Sequence, residues 1–257
     1  MSGHSKWSTI KRKKGAIDAE RSKIFQKLAK ELYVAAKSGD PDPTNNAQLR
    51  MVIEKAKASN MPKSNIESAI AKAMNKNNSE NYEEVRYEGY GPAGIAIMVD
   101  CLTDNKNRTA SFVRSTFTKK NGNLGTDGSV SYMFKRKGLI VLENVYEEDK
   151  FLEDVLNLQV LDVLYEEDKF LEEVLNLPVL DVLYEDDIII YTKPEDFITV
   201  KEKLEKIGYD KFITSEVTFI PDNYIKLNDE EEEKVLSLIE TLEDIDDVQN
   251  VYHNLEM

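Results

Sequence analysis

The stretch GHSKWSTIKRKKG gathers Lys6, Lys11, Arg12, Lys13 and Lys14 around Trp7, the single tryptophan of the chain. Cationic side chains at this density neutralise phosphates, and an indole offers a face on which a base can stack. That chemistry is polyanion binding, not bond making. A competing reading has Trp7 pinning the segment to a helical body while the lysines are merely solvated, and the segment alone does not separate the two. Arg21, Lys23, Lys27 and Lys30 follow at near-helical spacing and extend the basic surface, which tilts the reading towards nucleic acid. The spacing fits neither a zinc finger nor a basic zipper, and the order of elements does not establish a helix-turn-helix.

A second basic run, TDNKNRTASFVRSTFTKKNGNLG, carries Arg108, Arg114, Lys119 and Lys120. It reads either as a second polyanion contact or as the solvated face of an amphipathic helix, the latter being the simpler. GYGPAG, Gly89 to Gly94, fits the glycine pattern of a dinucleotide loop, but such a loop must open a helix. Here IAIMVDCL follows and reads as a strand, with Pro92 inside the loop, so a tight turn between two strands is expected and no cofactor. His4 and His253 are the two histidines, and no HExxH, Walker or Ser-His-Asp pattern occurs. Neither a metal site nor a catalytic residue is expected. Cys101 ends an apolar run and reads as a buried small hydrophobe rather than a nucleophile. A non-enzymatic protein with no small-molecule substrate is the expectation.

The elements that must carry these groups differ sharply in charge. Residues 1–76 hold 16 Lys and Arg against 7 Asp and Glu, a net of +9; residues 77–137 net +2; residues 138–257 net −25. A basic front attracts polyanions through counterion release, whereas the acidic back would be repelled from the same surface. No apolar run is long enough for a bilayer, the N-terminal residues lack the apolar core of a secretory signal, and one cysteine allows no internal disulfide. A cytoplasmic protein without a membrane partner is expected.

Hydrophobic spacing supplies the elements. Ile24, Leu28 and Leu32 recur at i, i+4 and i+8, widened by Phe25 and Ala35, with the lysines on another face. Gly39 stops this helix, Asn45 or Asn46 caps a second through Lys57, and Pro62 opens a third. Beyond NNSENYEE the pattern turns to strands at 82–91, 94–102, 128–134, 137–143, 187–193, 211–221 and 247–257. Helices interrupt them at 107–122, 194–208 and 227–244, the last capped by Asn228 or Asp229 above an acidic first turn. The pattern is α+β.

Several stretches together resemble the YebC/PmpR family: GHSKWSTIKRKKGAIDAERSKIFQKLAKEL, KAKASNMPKSNIESAI, YEEVRYEGYGPAGIAIMVDCLTDNKNRTASFVRSTFTKKNGNLGTDGSVSYMF, YTKPEDF and LEDIDDVQNVYHNLEM. The resemblance runs nearly the whole chain in order. It implies an N-terminal three-helix domain (1–76) and two α+β domains, the third (135–212) inserted into the second (77–134 plus 213–257). It implies a probable DNA-binding transcriptional regulator. The alternative, through bacterial members and mitochondrial translational activators of cytochrome oxidase, is a translation factor that meets ribosomal or transfer RNA and eases stalling at proline-rich stretches. Either role needs a polyanion surface, and the family offers no catalytic residues.

The departure from that pattern is a tandem duplication. Residues 145–163 and 164–182 differ at three positions, Val145/Leu164, Asp154/Glu173 and Gln159/Pro178. Two units are too few for a solenoid. The second unit either adds a helix and strand at a sheet edge, the reading favoured by the β-branched VLDVLY, or fuses with the first into one long helix that Pro178 ends. A new sheet edge would also offer a route to dimerisation. The repeat lies in the acidic segment, away from the basic residues. Deleting residues 145–163 is therefore expected to leave nucleic-acid affinity unchanged in a binding titration, and loss of affinity would place function in the repeat.

Overall fold

The computed structural model describes residues 17–75, 81–143, 150–151, 182–184 and 187–256. In chain order these form α1 (Ile17–Ser38), α2 (Ala47–Ala58), α3 (Lys63–Met74), β1 (Glu83–Tyr90), β2 (Ala96–Thr103), α4 (Lys106–Lys119), β3 (Asn123–Leu124), β4 (Phe134–Glu143), β5 (Val182–Tyr184), β6 (Asp187–Thr192), α5 (Phe197–Lys206), β7 (Phe212–Pro221), α6 (Asp229–Glu243) and β8 (Val248–His253). The α+β class read from the sequence is the class observed. The chain separates into two compact units, Met1–Phe134 with Pro221–Met257, and Lys135–Ile220.

In the first unit, α1 to α3 close around Leu28, Leu32, Leu49, Ala56 and Ile66, of which Leu28 and Leu32 belong to the stripe anticipated from the spacing of α1. Asn46 joins the first two helices. Its Oδ1 accepts from Leu49 N at 2.9 Å as the cap of α2, and its Nδ2 donates to the carbonyls of Ala35 and Asp40 at 2.8 and 2.7 Å. A buried amide that satisfies both its ends in this way fixes the turn as well as the helix start. Gly39 is tight against it: a Cβ there would meet Asn46 Nδ2 at 2.7 Å.

The remainder of this unit is a sheet of order β3-β1-β2-β8, with α4 and α6 against it. β1 and β2 run antiparallel from Glu83↔Thr103 to Tyr90↔Ala96. Arg86 faces Asp100 across that ladder and donates to both carboxylate oxygens, at 2.6 and 2.9 Å. The GYGPAG segment is the turn between these strands, with a 3₁₀ turn at Pro92–Gly94 and left-handed backbone at Ala93 and Gly94. Ile97, Val99 and Cys101 of β2 meet Val113 and Phe117 of α4. Val235, Leu238, Ile239 and Leu242, at i, i+3, i+4 and i+7 of α6, complete the core. Each such side chain contributes about 1.5–3 kcal/mol on burial. Asn228 Oδ1 caps α6 through Glu231 N at 3.0 Å.

One expected strand is not formed. Ser131–Met133, inside the run GSVSYMF, make a 3₁₀ turn, and only Phe134 enters β4. The cause is Glu88. Its buried carboxylate accepts from the N–H groups of Gly128, Val130 and Ser131 at 3.0, 2.8 and 2.8 Å. Amides spent on a carboxylate are not available to a ladder.

In the second unit the sheet order is β5-β6-β4-β7. Leu139–Leu142 and Ile188–Ile190 are continuous buried runs, as central strands covered on both faces require. Phe197, Val200 and Leu204 of α5 are buried in the same unit, as is Phe151, whose ring stands edge-on to Tyr209 at 4.7 Å. This unit extends to Ile220, past the boundary expected at 212, because β7 joins the same sheet beside β4. The chain leaves and re-enters the first unit at one place, where Asp222 N donates to Met133 O at 2.8 Å. Of the doubled segment, Lys150 and Phe151 are helical and Val182 begins β5. The rest, and with it the choice between an added unit and a long helix, lies outside the described residues.

At Gly89 a Cβ would lie 2.5 Å from Asn123 O and 3.0 Å from the Phe117 ring. Gly89→Ala is expected to lower stability by about 1–3 kcal/mol through overpacking, read by thermal denaturation. An unchanged midpoint would show that β1 and β3 are not packed this closely.

Candidate nucleic-acid interface

α6 ends on an acidic loop and carries no basic residue in its own last turn. Its terminal carbonyls bear the negative end of the helix dipole and need donors. α1 supplies them. Lys23, Lys27 and Lys30 stand at i, i+4 and i+7 on one stripe of that helix. Lys23 Nζ donates to Asp244 Oδ1 at 2.8 Å, and Lys27 Nζ to the Glu243 carbonyl at 2.8 Å. Lys30 Nζ donates to the Asp246 carbonyl at 2.9 Å and to Asp247 Oδ1 at 3.2 Å. It also stands 5.8 Å above the centre of the Tyr82 ring, whose edge contact with Tyr33 returns to α1.

Asp247 is where these contacts converge. Its Oδ2 lies within hydrogen-bond distance of Arg108 Nη2 (2.9 Å), Thr109 Oγ1 (2.8 Å) and Thr103 Oγ1 (3.3 Å), while its carbonyl accepts from Leu102 N (2.8 Å). Only 5 % of the residue is exposed, so the charge depends on these partners. Burial by itself would raise the carboxyl's pKa, but the donors Arg108, Thr109 and Lys30 outweigh it and hold the group below its ordinary value. Glu88 behaves in the same way: burial opposes ionisation, and the three backbone donors win.

The remaining expected contact residues are placed as follows. Arg21 is exposed, with its guanidinium 5.7 Å from the Phe25 ring centre. Arg108 is paired with Asp104 at 2.7 Å as well as with Asp247. Lys120 reaches Ser237 Oγ at 2.7 Å, holding α4 to α6. Arg114 and Lys119 lie exposed on α4. Thus Lys23, Lys27, Lys30, Arg108 and Lys120 are engaged within the chain, while Arg21, Arg114 and Lys119 face solvent. Lys6, Trp7, Lys11, Arg12, Lys13 and Lys14 lie outside the described residues.

A cavity of about 630 Å³ opens beside Asp247, with Lys30, Tyr82, Arg108, Asp246 and Phe112 on its walls. Phe112 is 53 % exposed, large for an aromatic side chain. Cys101 is buried, and desolvation together with Asp100 and Asp247 pushes its thiol up to about 12, which leaves it protonated at neutral pH. Among the described residues no group of three or more His, Cys, Asp or Glu is placed to hold a metal ion, and no helix is long and apolar enough to cross a membrane.

Asp247 and Glu88 were not singled out by the sequence. Their partners are far along the chain, and each stands among other acidic residues, Asp247 after Glu243, Asp244 and Asp246 and Glu88 after Glu83 and Glu84, so nothing local marks either.

Residues 5–76 match the TACO1/YebC N-terminal domain, and residues 82–255 match the TACO1/YebC second and third domain. The chain belongs to the TACO1/YebC family. It is 54% identical over 256 residues to a probable transcriptional regulatory protein of Geobacillus thermodenitrificans, covering 100% of this chain and 97% of the relative. A protein of the same description from Geobacter sulfurreducens is 50% identical over 257 residues, covering 100% and 96%. Among solved structures, a conserved hypothetical protein of Aquifex aeolicus shares the fold with a TM-score of 0.75 at 40% identity, over 93% of this chain and 92% of that one. The family match thus rests on both sequence and fold.

Asp247→Asn keeps the shape and removes the charge that Lys30 and Arg108 share. We expect a loss of about 1–3 kcal/mol in urea unfolding at neutral pH. Because the folded pKa is depressed, this stability is present above the ordinary aspartate value of 3.8 and is lost as pH falls through the folded value. The gap between wild type and variant should therefore narrow as pH falls below 3.8 and be gone below the folded value. A gap that is constant with pH would show that the charge is not what stabilises.

Proposed function

We propose that the protein is a non-enzymatic, cytoplasmic nucleic-acid-binding regulator of gene expression whose target is DNA. The observation that carries this reading is the full-length similarity to proteins named probable transcriptional regulatory proteins. The charge distribution supports it, with a net of +9 over residues 1–76 against −25 over residues 138–257. A polyanion meets attraction at the front and repulsion at the back, which orients the encounter. In this reading the basic segment Lys6 to Lys14, with Trp7 as a stacking face, makes the first contact, and Arg21 lies next along the chain. Arg114 and Lys119 on α4 offer the second contact. The three-domain division, with residues 1–76 as the basic module, belongs to the same proposal.

The test is binding to a promoter duplex in the presence of competitor DNA, across a salt series. Specific binding that survives the competitor and weakens steeply with salt supports the reading. Salt-sensitive binding without sequence preference, accompanied by co-sedimentation with ribosomes at the same salt, would overturn DNA as the target. Changing Lys11, Arg12, Lys13 and Lys14 together to Glu should weaken duplex binding by at least about a hundredfold at low salt. Circular dichroism should be unchanged. Undiminished affinity would move the contact away from this segment.

A further inference from the structure

The lysine stripe of α1 has the composition of a polyanion contact, yet all three of its ammonium groups are already in use. We propose that the end of α6 occupies this stripe as an internal substitute for phosphate, so that docking of α1 on α6 and binding of nucleic acid by Lys23, Lys27 and Lys30 exclude one another. The proposal rests on the nucleic-acid reading above and adds a regulation to it.

Three observations carry it. First, all the acceptors are oxygens, as on a phosphate backbone: the anionic carboxylates of Asp244 and Asp247, the carbonyl of Glu243 at the negative end of α6 and that of Asp246 just beyond it. Second, the spacing suits either occupant. Lys23 and Lys30 lie about 10 Å apart along the α1 axis. Duplex DNA presents a phosphate for roughly every 1.7 Å of its axis, so several fall within that span. Third, the internal contact is exchangeable. The Lys23–Asp244 pair is exposed on both sides, with 48% and 65% of the side chains accessible, and pairs of that kind contribute little. Lys27 meets a neutral carbonyl. Lys30 reaches a largely buried carboxylate, that of Asp247, and this is the strongest of these contacts.

While the stripe is docked, Asp244 and Asp246 stand beside it and repel an arriving phosphate. Once α1 lifts away, three cations are returned to the basic surface of residues 1–76, and the α6 end is left as part of the acidic side. The closed arrangement therefore lowers the affinity of the basic surface for any polyanion of ordinary density. A partner with enough phosphates displaces the α6 end, and a weak or short one does not.

The test uses the full chain carrying Gln26→Cys on the exposed side of α1 and Asp246→Cys just beyond the end of α6, a pair that leaves the acceptors of all three lysines in place. Cys101 is buried and its thiol protonated, so it does not react. A flexible bismaleimide with a reducible spacer locks the two helices together, and reduction releases them with the same adducts in place. Binding of a fluorescent DNA duplex and of heparin is then measured for both forms. We expect the locked form to bind at least about tenfold more weakly and its log–log salt slope to be shallower by about 2 to 3, the share of three lysines. Reduction should restore both. Equal affinity and slope in the two forms, with binding intact, would overturn the exclusion and leave the nucleic-acid reading standing. Absence of binding in locked, released and wild-type protein alike would remove the nucleic-acid reading and this proposal with it.

Discussion

A single buried carboxylate joins the parts of the first unit. Asp247 sits between α6 and β8, and a charge in that position is costly unless it is fully compensated. Its compensation comes from α1 through Lys30, from the end of β2 through Thr103, and from α4 through Arg108 and Thr109. Its backbone also joins the sheet by accepting from Leu102. The helical segment, the sheet and the covering helix are thereby tied to one atom group. The apolar core beneath α4 and α6 supplies most of the cohesion, but it has no direction. The directional donors around Asp247 set which face of α1 meets the α6 end.

This explains why the lysines of α1 are spaced as they are. A basic stripe on a surface helix suggests only a solvated or phosphate-facing side. Here the same stripe completes the termination of another helix, because α6 lacks cations of its own at its C-terminus. One set of side chains thus has two candidate uses, one inside the chain and one outside it. The acidic composition of the later residues is not merely solubilising: some of it is placed where it engages the basic front.

The elements governed by local spacing were legible in the sequence. The α1 stripe, the Asn46 and Asn228 caps, the turn at Gly89–Gly94 and the central strands follow from periodicity and turn chemistry within a dozen residues. What was not legible depends on partners far apart in the chain. GSVSYMF looks like a strand because its residues favour one, yet Glu88, on a strand that begins many residues earlier, removes its amides from any ladder. That β7 shares a sheet with β4 is likewise set by the strand it pairs with and not by its own composition. The basic residues were visible as a set, but which of them were engaged was not: Lys30 and Arg108 differ from Arg114 and Lys119 only in what lies across from them. No spacing rule points to Asp247.

Asp247 and the α1 stripe form one energetic unit through the Lys30 contact. A double-mutant cycle between Lys30→Met and Asp247→Asn, measured by urea unfolding at neutral pH and low salt, tests it most directly. The two changes should be non-additive, with a coupling of about 1 kcal/mol or more that shrinks as salt is raised. Strict additivity at low salt would contradict it, and would mean that the helical segment is held to the rest of its unit by something other than this contact.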